Sequence, residues 1–372
     1  MKSLYLLKIC MFGLLCQMNA AMAQSDHAQS KLLTAKCGCE GTLEQAIDKV
    51  GRIYAGFDDK VTAQARPAYD KLVKDLRRRA PGAKTEGECL KILQDYTGFF
   101  KDSHVFMIWQ EWKGQGAAAT HGHTTSTDLV QFKQLSADFL YLKLGVFNQR
   151  EVNQVDSILV ANKALLAKTP YLIFDLRGNG GGNAGTSDEM AKLIYTNPIV
   201  YPSWDYRSSR EYIASMEREL KSQKDTTNPY YARAQRLLKA VKENPGKLVT
   251  DGEDLQRTYD IDPTVYPRHI AFLMDKGCGS ATEFFIYEGS QSKKVTTFGA
   301  NSHGVMDYGS DQNFDLCDGT FSLAIPWGRN GWVREFRIDN VGFSPDVRIP
   351  AGEKDWVAFV QRYYAEKDNT GK

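Results

Sequence analysis

The 372-residue chain predicts an α/β protein, a parallel-rich β-α core with crossover helices preceded by an N-terminal helical unit. Three observations carry that prediction. Apolar residues recur at helical spacing from Thr42 to about Lys101. The period then changes to strand alternation at "FLYLKLGVF", Phe139 to Phe147. Finally, a buried-strand run, "YLIFDL", is followed by a helical one, "TSDEMAKLIYT". Strand–helix–strand order of this kind builds a parallel sheet with crossovers.

Taken in order, Lys2 and Lys8 flank a short apolar stretch ending at Leu15, and Ala21-Met-Ala23 supplies small residues for cleavage. Residues 1–23 therefore read as a secretory signal peptide, with an N-terminal anchor as the alternative. Residues 24–127 form the expected helical domain. Leu43, Ile47, Val50 and Tyr54 share one helix face, "CLKILQDYTGFF" repeats the theme, and Pro81-Gly82 separates helices. Gln115 to Thr127 has the composition of a linker. Residues 128–372 form the second expected domain. After "EVNQVDSILVANKALLAK", a helix, and "YLIFDL", the run "RHIAFLMD", the helix from Ser280 and "KVTTFG" repeat the unit. Two charged helices, "REYIASMERELKSQ" and "YYARAQRLLKAVKE", read as an insertion at about 204–247. "SLAIPWG" and "DVRIP" read as short strands, and "DWVAFVQRYYAEK" as a C-terminal helix.

The net charge is +2, and removal of residues 1–23 leaves acidic and basic side chains equal in number. That balance points away from nucleic acid and from strongly charged partners. No later run approaches 18 uninterrupted apolar residues, so no integral membrane span is expected; the oligomeric state is not legible. Cys37, Cys39, Cys89, Cys278 and Cys317 remain after the leader. Export permits disulfides, and five thiols leave at least one unpaired within the chain. Cys37-Gly-Cys39 has no fourth ligand at zinc spacing, so a bridge from Cys89 to Cys37 or Cys39 is expected and no metal or cofactor is.

Two segments carry chemistry. "DKGCGSATEFF", Asp275 to Phe285, contains Ser280-Ala-Thr-Glu283, which matches a helix capping box and accounts for both polar residues structurally. "YLIFDLRGNGGGN" ends a strand in glycines. Gly180-x-Gly182-x-x-Gly185 with Asp205 downstream weakly matches a dinucleotide fingerprint, and Thr186 in place of lysine excludes a phosphate loop. The same glycines also fit a plain turn, or a backbone that approaches a developing oxyanion.

"FDLRGNGGGN", "GSATEFF" and "DNVGFSPDVRIP" occur in that order, and together they resemble the S41 peptidases, the family of C-terminal processing (tail-specific) proteases and the tricorn protease. The family patterns are close to D-L-R-x-N-x-G-G, S-A-x-E and G-x-x-P-D. The resemblance spans roughly Phe139 to Pro350 outside the insertion. It implies a ClpP/crotonase-like core, a peptide or polypeptide substrate, and Ser280 as nucleophile.

The processing branch takes a lysine about 25 residues beyond the serine, but Val305 occupies that position here. The tricorn-like branch takes a histidine from a Ser-His pair before the sheet, which "FFKDSHVFMIW" supplies as Ser103-His104 after Asp102. That branch backs its serine with a glutamate, where this chain has Asp339. The resemblance thus implies His104 as general base, Ser103 and Asp339 as its support, and an oxyanion held by the N–H of Ala281 and one of Gly181 or Gly182. His303 is a rival base, because it lies two residues before the missing lysine. Cys278 is a candidate partner for Cys317, and His121 and His123 lie in a polar loop. Too few residues separate His104 from Phe139 for the PDZ domain that many relatives carry. The expected function is an exported serine endopeptidase, periplasmic or extracellular. A catalytically silent peptide-binding protein on the same scaffold is the alternative.

Overall fold

The computed structural model describes residues 31–33, 36–109, 129–227, 229–262 and 267–370. The expected signal peptide, the expected linker, His121 and His123 lie outside the described residues. The helices are α1 (Gly38–Ile53), α2 (Phe57–Lys60), α3 (Arg66–Arg79), α4 (Glu86–Gly98), α5 (Gln149–Ala161), α6 (Lys163–Leu166), α7 (Asp188–Ile194), α8 (Arg210–Ser222), α9 (Pro229–Glu243), α10 (Ala281–Ser290) and α11 (Trp356–Thr370). The strands are β1 (Phe106–Trp109), β2 (Val130–Gln134), β3 (Phe139–Leu144), β4 (Tyr171–Asp175), β5 (Ile199–Tyr201), β6 (Trp204–Arg207), β7 (Leu248–Thr250), β8 (Leu255–Arg257), β9 (His269–Met274), β10 (Val295–Gly299), β11 (Tyr308–Leu316), β12 (Phe321–Asn330) and β13 (Val347–Arg348).

Packing divides the chain into two compact units. One consists of the described residues within Met1–Ala117, Asp205–Val249 and Ser310–Arg329, the other of those within Ala118–Trp204, Thr250–Gly309 and Asn330–Lys372.

The second unit is built on a six-stranded sheet in the order β13-β10-β9-β4-β3-β2. All its pairs are parallel except β2 with β3. Alternation within each strand sends side chains to two cores, as the period of two requires. Leu140, Leu142, Leu172, Phe174, Ile270 and Phe272 pack on one face with Val152 and Val155 of α5 and Phe285 and Ile286 of α10. Ile173, Ala271, Leu273 and Phe298 pack on the other face with Val360 and Tyr364 of α11. Such a sheet presents its working loops at the carboxyl ends of its strands. Here the loops after β4 and β9 are the glycine-rich segment and the segment leading to Ser280.

In the first unit, Leu43, Val50 and Tyr54 are fully buried, while Ile47 of the expected stripe is half-buried. Tyr54, Phe57, Tyr69, Tyr96 and Phe100 form an aromatic cluster with ring centroids 5.5–6.3 Å apart. A sheet in the order β1-β12-β6-β7, with β11 paired to β12, completes this unit. The helices of the expected insertion, α8 and α9, belong to it rather than to the unit carrying the six-stranded sheet.

Two disulfides, Cys39–Cys89 and Cys37–Cys317, staple the first unit. Cys39–Cys89 is one of the two expected pairings. The candidate bridge from Cys278 to Cys317 does not form. Cys278 is a buried free thiol whose Sγ donates to the Leu176 carbonyl at 3.0 Å, and Cys317 is committed to Cys37.

Candidate active site

Ser280 connects the loop after β9 to α10. Its backbone sits at φ 53, ψ −123, a region that costs a non-glycine residue about 1–3 kcal/mol and is met mainly where function requires it. The preceding loop is fixed by backbone bonds. Asp275 accepts from the N–H groups of Gly178 and Gly277 at 2.9 Å, and the Gly279 N–H donates to the Asn179 carbonyl at 3.1 Å.

The expected capping box is not formed at this helix. A capping residue ordinarily holds extended backbone and turns its oxygen onto the first-turn N–H groups. Ser280 lies outside that region, and its hydroxyl makes no cap bond. Glu283 is fully buried and reaches into the loop at 302–306 instead. Its carboxylate accepts from Ser302 Oγ at 2.5 Å and from the N–H groups of Gly304, Val305 and Met306 at 2.6, 2.9 and 3.2 Å. Burial pushes this carboxyl above its ordinary range, and the donors of Ser302, Val305 and Gly304 oppose the shift.

The glycine-rich loop meets Ser280 directly. A Cβ on Gly181, at φ +100, would stand 2.7 Å from Ser280 Cβ and 2.9 Å from the Ala281 nitrogen, so only glycine fits. A Cβ on Gly182 would collide with the Phe147 carbonyl. The Gly181 N–H donates to Asn179 Oδ1 at 3.0 Å, and Asn179 Nδ2 donates to the Leu144 carbonyl at 2.9 Å. Ala281 is the first residue of α10, where an N–H has no intrahelical acceptor.

The third motif joins the same network. Asp307, fully buried, accepts from Trp332 Nε1 at 2.8 Å, from the Ile338 N–H at 3.2 Å and from the Asp339 N–H at 3.1 Å. Asp339 is half-buried. The Asn340 N–H donates to the Gly304 carbonyl at 2.8 Å, the Phe343 N–H donates to Ser302 Oγ at 2.8 Å, and Lys276 Nζ donates to the Val341 carbonyl at 3.1 Å. Val305 is buried. His303 is exposed, its N–H donates to the Cys278 carbonyl at 2.7 Å, and its Nδ1 lies 3.5 Å from where a Cβ on Gly279 would be. Two turns along α10, Glu288 is buried away from the motifs. Burial pushes its carboxyl up to about 7, while the hydroxyls of Thr186 and Tyr201 and the Arg257 charge partly offset the shift.

In the first unit, His104 follows α4 on a short turn closed by the Val105 N–H on the Asp102 carbonyl at 3.0 Å. Asp102 and His104 are buried, and Ser103 is exposed. Asp102 Oδ1 accepts from the His104 N–H at 2.9 Å, its Oδ2 accepts from the Tyr54 hydroxyl at 2.7 Å, and His104 Nδ1 lies 3.8 Å from Oδ1.

Residues 138–349 match the family model of peptidase family S41. The chain belongs to peptidase family S41. No curated protein matches it. Among solved structures it is similar to mature CPAF, at 12% identity and a TM-score of 0.58, with 84% of this chain and 93% of that chain covered. It is also similar to a lipoprotein from Streptococcus agalactiae, at 14% and 0.51, with 89% and 97% covered. The tricorn protease compares at 12% and 0.50, with 88% of this chain and 37% of that one covered. At these identities the likeness is one of fold.

Within this S41 chain the structure brings Ser280, Ala281, Gly181, Gly182, His303 and Asp339 into one unit, through motifs that are hydrogen-bonded to one another. Ser103 and His104 lie in the other unit. Sequence reasoning gave Asn179 and Asp307 no role and Glu283 only that of a capping partner, whereas all three organise the loops. Asn179 and Glu283 sit inside the quoted motifs and could have been weighed as loop anchors. Asp307 is a lone aspartate outside any motif, with no sequence signal of its own.

Proposed function

We propose that this S41 chain is an exported serine endopeptidase with Ser280 as nucleophile and His104 as general base. One observation carries the reading: Ser280 occupies strained backbone at a helix N-terminus, beside glycines, with its hydroxyl unused by the helix it precedes. A hydroxyl released from capping is available for attack, and the helix dipole favours the alkoxide and oxyanion that follow.

In this reading Ser280 Oγ attacks a peptide carbonyl while His104 takes the hydroxyl proton. The Ala281 N–H and that of Gly182 hold the oxyanion, since the Gly181 N–H is engaged by Asn179, and the absence of a Cβ on Gly181 allows the close approach. His104 returns the proton to the leaving amine, and water then cleaves the acyl-enzyme by the same steps. Ser103, backed by Asp339, steadies the imidazole. The amino-terminal leader and the two disulfides support export to the periplasm or the cell exterior, where thiols pair. No helix among the described residues is long and apolar enough to cross a membrane.

A fluorophosphonate reagent tests the nucleophile. Labelling at Ser280 is expected, and Ser280→Ala abolishes both labelling and hydrolysis of fluorescein-casein; hydrolysis unchanged in that variant overturns the assignment. An intact chain that neither labels nor cleaves supports the silent binding protein instead. Chelators are expected to leave activity unchanged. A second reading of the base rests on His303, which borders Gly279. His104→Ala is expected to lose most activity and His303→Ala to keep most of it, and the reverse result transfers the role.

A further inference from the structure

The loop that carries His104 holds more than its histidine. Asp102 is buried, with a side chain about as inaccessible as that of His104, and both its oxygens are directed. Oδ2 takes the hydroxyl of Tyr54, which caps the end of α1 and is itself fully buried in the aromatic cluster. Oδ1 takes the His104 N–H and faces His104 Nδ1 at 3.8 Å. Burial raises the carboxyl above its ordinary range, and the His104 charge and the Tyr54 hydroxyl are the largest opposing influences. A carboxylate removed from water, anchored on one oxygen and aimed at an imidazole with the other, has the arrangement that fixes a ring and stabilises it when it becomes charged.

We propose that Asp102 is the positioning carboxylate of His104, acting on Nδ1, with Tyr54 as its anchor and with more effect on the reaction than Asp339. The inference rests on the reading of His104 as base. As Ser280 Oγ bonds to the substrate carbonyl carbon, its proton passes to His104 Nε2. The proton on Nδ1 stays there, pointing at Asp102 Oδ1, and the carboxylate balances the imidazolium without taking a proton. At 3.8 Å the pair is longer than a hydrogen bond, and the proposal requires it to shorten as charge develops on the ring. Tyr54 matters because a buried carboxylate with one oxygen unsatisfied would rotate toward any donor it could find, and the hydroxyl removes that freedom.

The test is kinetic, on an activated nitrophenyl ester with fluorophosphonate labelling rate as a second measure. Asp102→Asn keeps the shape and is expected to lower kcat about 100-fold with KM nearly unchanged. Tyr54→Phe keeps the ring in its cluster and is expected to lower kcat about 3- to 10-fold, the worth of one hydrogen bond. In a His104→Ala background, Asp102→Asn is expected to add no further loss, because a residue that acts through the base has nothing left to act on. Asp339→Asn is expected to cost less than Asp102→Asn. Wild-type turnover in a folded Asp102→Asn enzyme overturns the proposal, as does an equal loss in both backgrounds or a larger loss from Asp339→Asn. If Asp102→Asn fails to fold, Tyr54→Phe at the wild-type rate has the same force. Full activity in His104→Ala itself marks failure of the base reading, a separate result that removes this one with it.

Discussion

Two helices in this chain begin with the same four-residue pattern and use it differently. At α4, Thr85 holds extended backbone, its Oγ1 accepts from the Glu88 N–H, and the Glu88 carboxylate accepts from the Thr85 N–H in return. At α10, Ser280 and Glu283 have the same spacing and make neither bond. The serine backbone is turned to positive φ, and the glutamate is drawn into the 302–306 loop by four donors. The first pair serves its own helix. The second leaves the Ser280 hydroxyl out of the cap, while the Thr282 and Glu283 N–H groups turn back to the Gly279 and Ser280 carbonyls at 3.1 and 2.8 Å. What separates the two is the environment of the glutamate, exposed at α4 and fully buried at α10.

Substitutions at the two sites should therefore part company. Ser280→Ala has the largest expected effect, a loss of about 10⁴-fold or more in turnover. Because no cap bond is lost, its thermal midpoint stays at the wild-type value, and a clear drop would mean that the hydroxyl does cap. Ser280→Gly should be equally inactive yet melt higher, since glycine accepts the positive φ without strain.

Glu283→Gln comes next. An amide NH₂ would face donors rather than acceptors, costing about 3 kcal/mol and loosening the 302–306 loop. Glu88→Gln should be nearly silent, since glutamine serves a capping box. Denaturant melts of the pair would sharpen the contrast, and equal losses would break it.

Glu288, farther along α10, gives a pH test. Its carboxyl is raised in the folded protein to about 7 from 4.5, so the fold favours the protonated form. That contribution is fully present below about pH 4.5, and it is lost as pH rises through the folded value near 7. Glu288→Gln should flatten this dependence, being more stable than wild type at pH 8 by up to about 3 kcal/mol and showing no such advantage at pH 4.5. Parallel melts of the two proteins across pH would refute this.

Thr85→Ala has the smallest expected effect, about 1 kcal/mol of stability, with activity retained per folded molecule.

Much of the fold could be read from the residues because burial leaves a pattern. Leu43, Val50 and Tyr54 mark a helix face, and "YLIFD" and "HIAFLM" are runs that only a strand covered on both faces would carry. β11 escaped notice for the opposite reason, since its central residues are polar and mostly exposed and show no alternation toward a core. The make-up of the first unit was also hidden. Phe106 of β1 pairs with Ala324 of β12, and no local signal records a partner so distant in sequence. At the site, the motifs located Ser280 and the glycines, but the S-x-x-E pattern concealed what Glu283 does. Residue type and spacing are the same in a cap and in a loop anchor, and only the direction of the side chain distinguishes them. Asp102 was visible as a letter beside His104, while its anchor Tyr54, brought in from the end of α1, was not.

The bridge between Cys37 and Cys317 joins positions 280 residues apart. Ribosomes deliver a chain from its amino terminus, so Cys37 and its helix emerge long before the strands that complete their unit. Cys37 must wait for its partner until 280 more residues have followed. Cys39 is under no such constraint, because Cys89 arrives soon after it. The short bridge can close while synthesis or transit continues, and the long one only near the end. Leader-free chains that end between Cys89 and Cys278 would hold one bridge and the Cys37 thiol, and longer ones the Cys278 thiol as well, which a thiol-reactive mass tag applied to unfolded nascent chains of increasing length would count directly.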